Sequence, residues 1–147
     1  MSPARRRQRP GRLPAHSGTV VLDADGLNKC TGNVHAAAVL RLLIAKGWDV
    51  ATVAPVLVEA LRGDRADARV NRLLAAEVEI HPVDERAARQ AAPLRAQALR
   101  AANPSAVDAL VATLAINTEP SAVILTSDPG DIEVIVSGQP NVNVIAV

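Results

Sequence analysis

The stretch SAVILTSDPGDIEVIV, residues 121–136, carries an apolar run, Ala122–Leu125, that stops at Thr126-Ser127 and presents Asp128. It then turns through Pro129-Gly130 and presents Asp131 before apolar residues resume. A short β-branched run bounded by turn-forming residues reads as a buried strand. Asp, Pro and Gly are ordinary turn residues, so on this stretch alone the two carboxylates need no further explanation. DIEVIV (131–136) stays open: its β-branching favours a strand, its place between two strands a short crossover helix.

Similar runs recur upstream. TVVL (19–22) ends at Asp23, WDVATV (48–53) and VEIHPV (78–83) follow, and NVIAV (143–147) closes the chain. Between them lie segments of helical character. NVHAAAVLRLLIAKG (33–47) has apolar residues at helical spacing with Gly47 as its stop, and PVLVEALRG (55–63) opens on Pro55 and stops at Gly63. RADARVNRLLAA (65–76) is amphipathic. DERAARQAAPLRAQALRAA (84–102) is capped by Asp84 and expected to kink or split at Pro93, and NPSAVDALVATLAIN (103–117) starts at Pro104-Ser105. Strands alternating with helices predict an α/β domain over residues 18–147, with a mostly parallel sheet of about four to five strands covered on both faces.

Composition narrows the chemistry. The chain of 147 residues can bury a substantial core, and no apolar run approaches a bilayer span, so no membrane association is expected. One cysteine, Cys30, and three scattered histidines, His16, His35 and His81, give neither an internal disulfide nor zinc-site spacing; a reducing, cytoplasmic setting follows. Residues 1–12 hold five of the sixteen basic residues and no acid, so the rest of the chain is acidic despite the overall charge of +1. Residues 1–17 lack helical periodicity and a signal-peptide core and are expected to be a disordered, Arg-rich tail. With no Phe or Tyr, reading nucleobases by aromatic stacking is disfavoured; a nucleic-acid site would have to handle the backbone.

In a parallel sheet, ligands bind beyond the carboxyl ends of the strands. Asp23 and Asp25 follow one strand, and Asp128 and Asp131 another, so all four belong at that edge. Glu59 within PVLVEAL and Asp108 within SAVDALVA sit among apolar neighbours, though a solvent-facing Glu59 and a dipole-complementing Asp108 explain either one alone. Together with the strand-end acids they form an ordered series, Asp23, Glu59, Asp108, Asp128. Clustered carboxylates repel unless a cation or a raised pKa relieves them.

VVLDADGL, PVLVEALRGD, SAVDALVATLA and VILTSDPGDIEVI, in that order, make residues 18–147 resemble the PIN-domain ribonucleases, in particular VapC-type toxins of bacterial toxin–antitoxin pairs. The resemblance implies a three-layer αβα PIN-like fold. It also implies Mg²⁺- or Mn²⁺-dependent endonucleolytic hydrolysis of RNA phosphodiesters. Matched position by position, the catalytic acids fall on Asp23, Glu59, Asp108 and Asp128. The metal ligands are expected from Asp23, Asp108 and Asp128, with Asp131 as a further candidate. Asp25, Thr126 and Ser127 would support them from close by, although Asp25 stands where relatives more often have Ser, Thr or Asn. A cognate antitoxin and a homodimer are the implied partners. Two other readings stand beside this one. VLDADGL followed by ILTSD looks like a haloacid-dehalogenase-type phosphatase with Asp23 as nucleophile and Asp25 as general acid. That chemistry needs a lysine after the Thr/Ser motif, and the chain has only Lys29 and Lys46. The other is a PIN-like protein that binds a partner without catalysis.

Overall fold

The computed structural model describes residues 18–147, and the tail expected over 1–17 lies outside the described residues. Five strands, β1 (Thr19–Leu22), β2 (Asp49–Val53), β3 (Val78–His81), β4 (Ala122–Thr126) and β5 (Val142–Ala146), form one sheet in the order β3-β2-β1-β4-β5. Every pairing is parallel, so the expected mostly parallel sheet is wholly parallel. The sequence explains which strands lie in the middle. Val20, Val21 and Leu22 of β1 and all five residues of β4 are buried, the near-continuous apolar composition of a strand covered on both faces. At the edges, β3 and β5 are half exposed.

Seven α-helices cover the sheet among the described residues: α1 (Ala24–Gly32), α2 (Val34–Ala45), α3 (Val56–Ala60), α4 (Ala68–Glu77), α5 (Glu85–Ala98), α6 (Ala106–Ile116) and α7 (Pro129–Val136). α1 packs with α2, α3 and α4, whereas α5, α6 and α7 pack with one another, and α6 crosses β1, β2 and β4. The two groups are the outer layers of the αβα sandwich. No helix among the described residues is long and apolar enough to cross a membrane.

Several local expectations need correction or completion. DIEVIV belongs to α7: Pro129 opens the helix with its fixed φ, and the crossover between parallel neighbours β4 and β5 leaves no place for a strand there. Pro93 neither splits nor ends α5, which runs unbroken from Glu85 to Ala98. Proline removes one intrahelical donor, and at this exposed position solvent can satisfy the carbonyl that is freed. The segment Ala24–Gly32, not read as a helix above, is α1, and it begins immediately after Asp23 with no intervening loop. The helix expected to run to Gly63 ends earlier, at Ala60, and the one expected from Arg65 begins as a 3-10 turn and becomes α-helical at Ala68, whereas other caps and stops are as expected. Asp84 caps α5, Ser105 caps α6, and Gly47 takes a left-handed φ of 93° just past α2.

Candidate functional site

The chain steps outward from β1 to β2 and β3, then returns to the other side of β1 for β4 and β5. The order therefore reverses between β1 and β4, the point at which sheets of this kind form a crevice at the carboxyl ends of their strands. Asp23 closes β1 and Thr126 closes β4 on the two sides of that point.

Asp23 is 7% exposed. It is the N-cap of α1, its Oδ1 accepting from the Gly26 N–H at 2.6 Å. A β-carbon at Gly26 would fall on the backbone carbonyl of Leu125. Glycine is required here by close approach, and the first turn of α1 rests directly on the end of β4. The Thr126 hydroxyl hydrogen-bonds the Asp23 carboxylate and also accepts from the Asp128 N–H at 3.2 Å. One buried hydroxyl thus ties the ends of β1 and β4 together. A second does so between β1 and β2. Thr52, fully buried, donates to the Leu22 carbonyl at 2.6 Å, one residue before Asp23.

Burial pushes the Asp23 carboxyl up to about 6. The bonds from Thr126 and Gly26 pull it down, and the neighbouring carboxylates of Asp25 and Asp108 raise it further. Asp108 acts on Asp23 from the first turn of α6, the helix that leads into β4. Its Oδ2 accepts from the Ser105 N–H at 2.9 Å while its own N–H donates to Ser105 Oγ at 3.0 Å, a reciprocal capping box. The dipole-and-cap explanation of Asp108 is therefore correct as far as it goes, and Asp108 also acts electrostatically on Asp23. Among the described residues the ion pairs are His81–Glu79 and Arg89–Glu85. Among these residues, the carboxylates around Asp23 have no basic side chain paired to them.

The remaining acids are more open. Asp128 is exposed and heads α7 without a side-chain cap bond, and Ser127 beside it is exposed. Glu59 is exposed on the five-residue α3. Asp25 is exposed in the first turn of α1. Asp131 is half-buried and accepts from the Asn103 N–H at 3.1 Å. Among the described residues, no three His, Cys, Asp or Glu side chains gather closely enough to form a ready metal cage. What the crevice offers is a sparse, all-oxygen donor set around one buried carboxylate. That suits a hard cation which keeps most of its waters and takes one or two carboxylates.

Asp67 escaped the sequence reading. It is buried, and its carboxylate accepts from the N–H groups of Arg62 (2.9 and 3.1 Å) and Gly63 (2.7 Å). Those bonds hold it below the usual carboxylate range and fold back the loop that follows Glu59. Asp67 falls in the first turn of the segment read as amphipathic, RADARVNRLLAA, where a carboxylate is ordinary, so nothing in the sequence marks it. A cavity of about 420 Å³ lies elsewhere, between α2 and α4, lined by Leu40, Ile44, Leu73 and the arginines 41, 69 and 72.

No protein-family model and no curated protein sequence matches the chain. Solved structures do. A chain of the VapBC2 structure from Rickettsia felis, bound to a DNA fragment from their promoter, superposes with a TM-score of 0.65. It is 17% identical, over 88% of this chain and 98% of that one. A chain from the structure of FitAB bound to an IR36 DNA fragment gives a TM-score of 0.61 at 23% identity, over 86% and 94%. The fold is PIN-like.

Proposed function

We propose that the chain is a metal-dependent endoribonuclease of the VapC kind, hydrolysing RNA phosphodiester bonds at the β1/β4 crevice. One observation carries this reading. Asp23, buried at the switch point and pushed up to about 6, faces the carboxylates of Asp25 and Asp108, and no basic side chain among the described residues is paired to them. Like charges held together without a counter-charge are costly, and a divalent cation relieves them. The fold likeness and the ordered motifs support the same reading independently.

Asp23 and Asp108 would be the principal ligands for Mg²⁺ or Mn²⁺, with Asp128 as a further one. When bound, the ion lowers the pKa of a coordinated water and neutralises charge on the scissile phosphate. Asp108 has one oxygen, Oδ2, committed to the Ser105 N–H, which fixes the carboxylate. Thr126 holds Asp23 in register with the end of β4, and Ser127 lies beside it. Glu59, open to solvent, orients the attacking water and accepts its proton. Stacking on bases is disfavoured, because the chain has no Phe or Tyr and its one Trp, Trp48, precedes β2, at the end of the sheet opposite Asp23. The reading carries with it a cognate antitoxin as partner, homodimerisation and a cytoplasmic setting.

The test is RNA cleavage in Mg²⁺ and in EDTA by the wild type, Asp23→Asn, Asp108→Asn and Glu59→Gln. EDTA should abolish cleavage, and each variant should lose about a hundredfold or more. Undiminished cleavage in Asp23→Asn and Asp108→Asn would refute the site. Hydrolysis of a simple phosphomonoester, lost in Asp25→Asn, would favour the phosphatase. Absence of any hydrolysis would favour a non-catalytic binding protein.

A further inference from the structure

Asp131 stands in the first turn of α7, where the helix dipole alone would justify a carboxylate. Its Oδ1 nevertheless reaches across to the backbone of another segment, accepting from the Asn103 N–H at 3.1 Å. Asn103 belongs to the connection between α5 and α6, and two residues later Ser105 opens the capping box that holds Asp108. That connection is fastened at a second point, where Arg95 Nε donates to the Pro104 carbonyl at 3.0 Å and Pro104 is buried. α7 itself starts directly after Asp128. The bond from Asp131 therefore joins the helix that carries Asp128 to the segment that sets Asp108.

We propose that Asp131 is a positioning residue, a clasp between α7 and the segment Asn103–Ser105 that fixes where Asp108 stands, and that it does not ligate metal. The proposal deepens the site assigned above and takes the role of Asp108 from it. The acid engaged in the clasp acts through its acceptor oxygen, a function that an amide can reproduce. A metal ligand acts through its charge, which an amide cannot reproduce.

That difference supplies the experiment, made on the full chain with Asp131→Asn and Asp131→Ala. Three quantities are read: hydrogen exchange at the Asn103 amide, Mn²⁺ affinity, and RNA cleavage in Mg²⁺. Asp131→Asn should keep Asn103 protected, bind Mn²⁺ as the wild type does and cleave RNA within about threefold of it. Asp131→Ala should lose protection at Asn103 and cleavage by about tenfold or more, as expected for a lost hydrogen bond to a charged acceptor. Loss of Mn²⁺ affinity in Asp131→Asn would make Asp131 a ligand and overturn the clasp. Equal protection of Asn103 in all three proteins would overturn it too. If the wild type cleaves no RNA, the ribonuclease reading fails by itself. Exchange at Asn103 then still decides the clasp: loosening in Asp131→Ala alone sustains it, and no change refutes it. Should Asp131→Ala fail to fold, Asp131→Asn and its Mn²⁺ affinity remain decisive.

Discussion

Replacing Asp23 by Asn should make the fold more stable at neutral pH while removing the activity proposed for it. The carboxyl rises from the usual 3.8 to about 6 on folding, mainly because it is buried. At about 1.36 kcal/mol per pH unit, the charged form costs the folded state about 3 kcal/mol once both states would be ionised. The direction follows from proton uptake. Below pH 3.8 the group is protonated in folded and unfolded chains alike and costs nothing. Between 3.8 and 6 the unfolded chain ionises first, so stability falls as pH rises, and above 6 the full cost applies. Asn carries no charge at any pH, and its amide oxygen can still accept from the Gly26 N–H. Urea denaturation of the wild type and Asp23→Asn at pH 4 and pH 7.5 tests this. The variant's advantage should grow by about 2 kcal/mol between the two, from the linkage relation, and Mg²⁺ at pH 7.5 should stabilise the wild type preferentially. A constant difference across that range, or a variant less stable than the wild type at pH 7.5, would refute the reasoning.

Gly26→Ala should cost about 1–3 kcal/mol in the same denaturation assay, the range for forcing atoms into a packed interior. The new methyl group meets the Leu125 backbone, which has no rotamer with which to move away; an unchanged midpoint would show that α1 does not rest on β4. Thr126→Val keeps the side-chain shape but removes the hydroxyl that lowers the Asp23 pKa. The Asp23 carboxyl should then titrate above about 6, visible in its carbon NMR shift, and a midpoint that stays put would remove Thr126 from the site.

Much of the sheet is legible in the sequence because central parallel strands must be apolar on both faces. AVILT and TVVL have no other comfortable environment, and the turn residues after them mark their ends. Ambiguity begins where one local signal serves two structures. Asp-Ala-Asp-Gly looks like a turn, yet it is the first turn of α1, because Asp23 caps the helix that Gly26 lets settle against Leu125. DIEVIV has strand-like composition and becomes helical because β4 and β5 pair in parallel and need a crossover. The candidate site shows the same split. That Asp23 and Asp128 share an edge follows from strand order and can be anticipated. The backbone partners of Asp67 and Asp131 lie in loops whose paths are set by tertiary packing, and no spacing in the sequence encodes them.

The pairing of β1 with β4 joins Thr19 to Ala122 and Leu22 to Leu125. About a hundred residues separate the two sides of the crevice along the chain, so its closure is a long-range event whose loop-closure entropy must be met before the contacts stabilise it. A chain emerging from the ribosome amino end first carries Asp23, Glu59 and Asp108 before it has the strand that brings Thr126 and Asp128 beside them. No fragment ending before β4 contains the assembled crevice. If the crevice cuts RNA, the protein is harmless to the machinery that makes it until β4 has been synthesised.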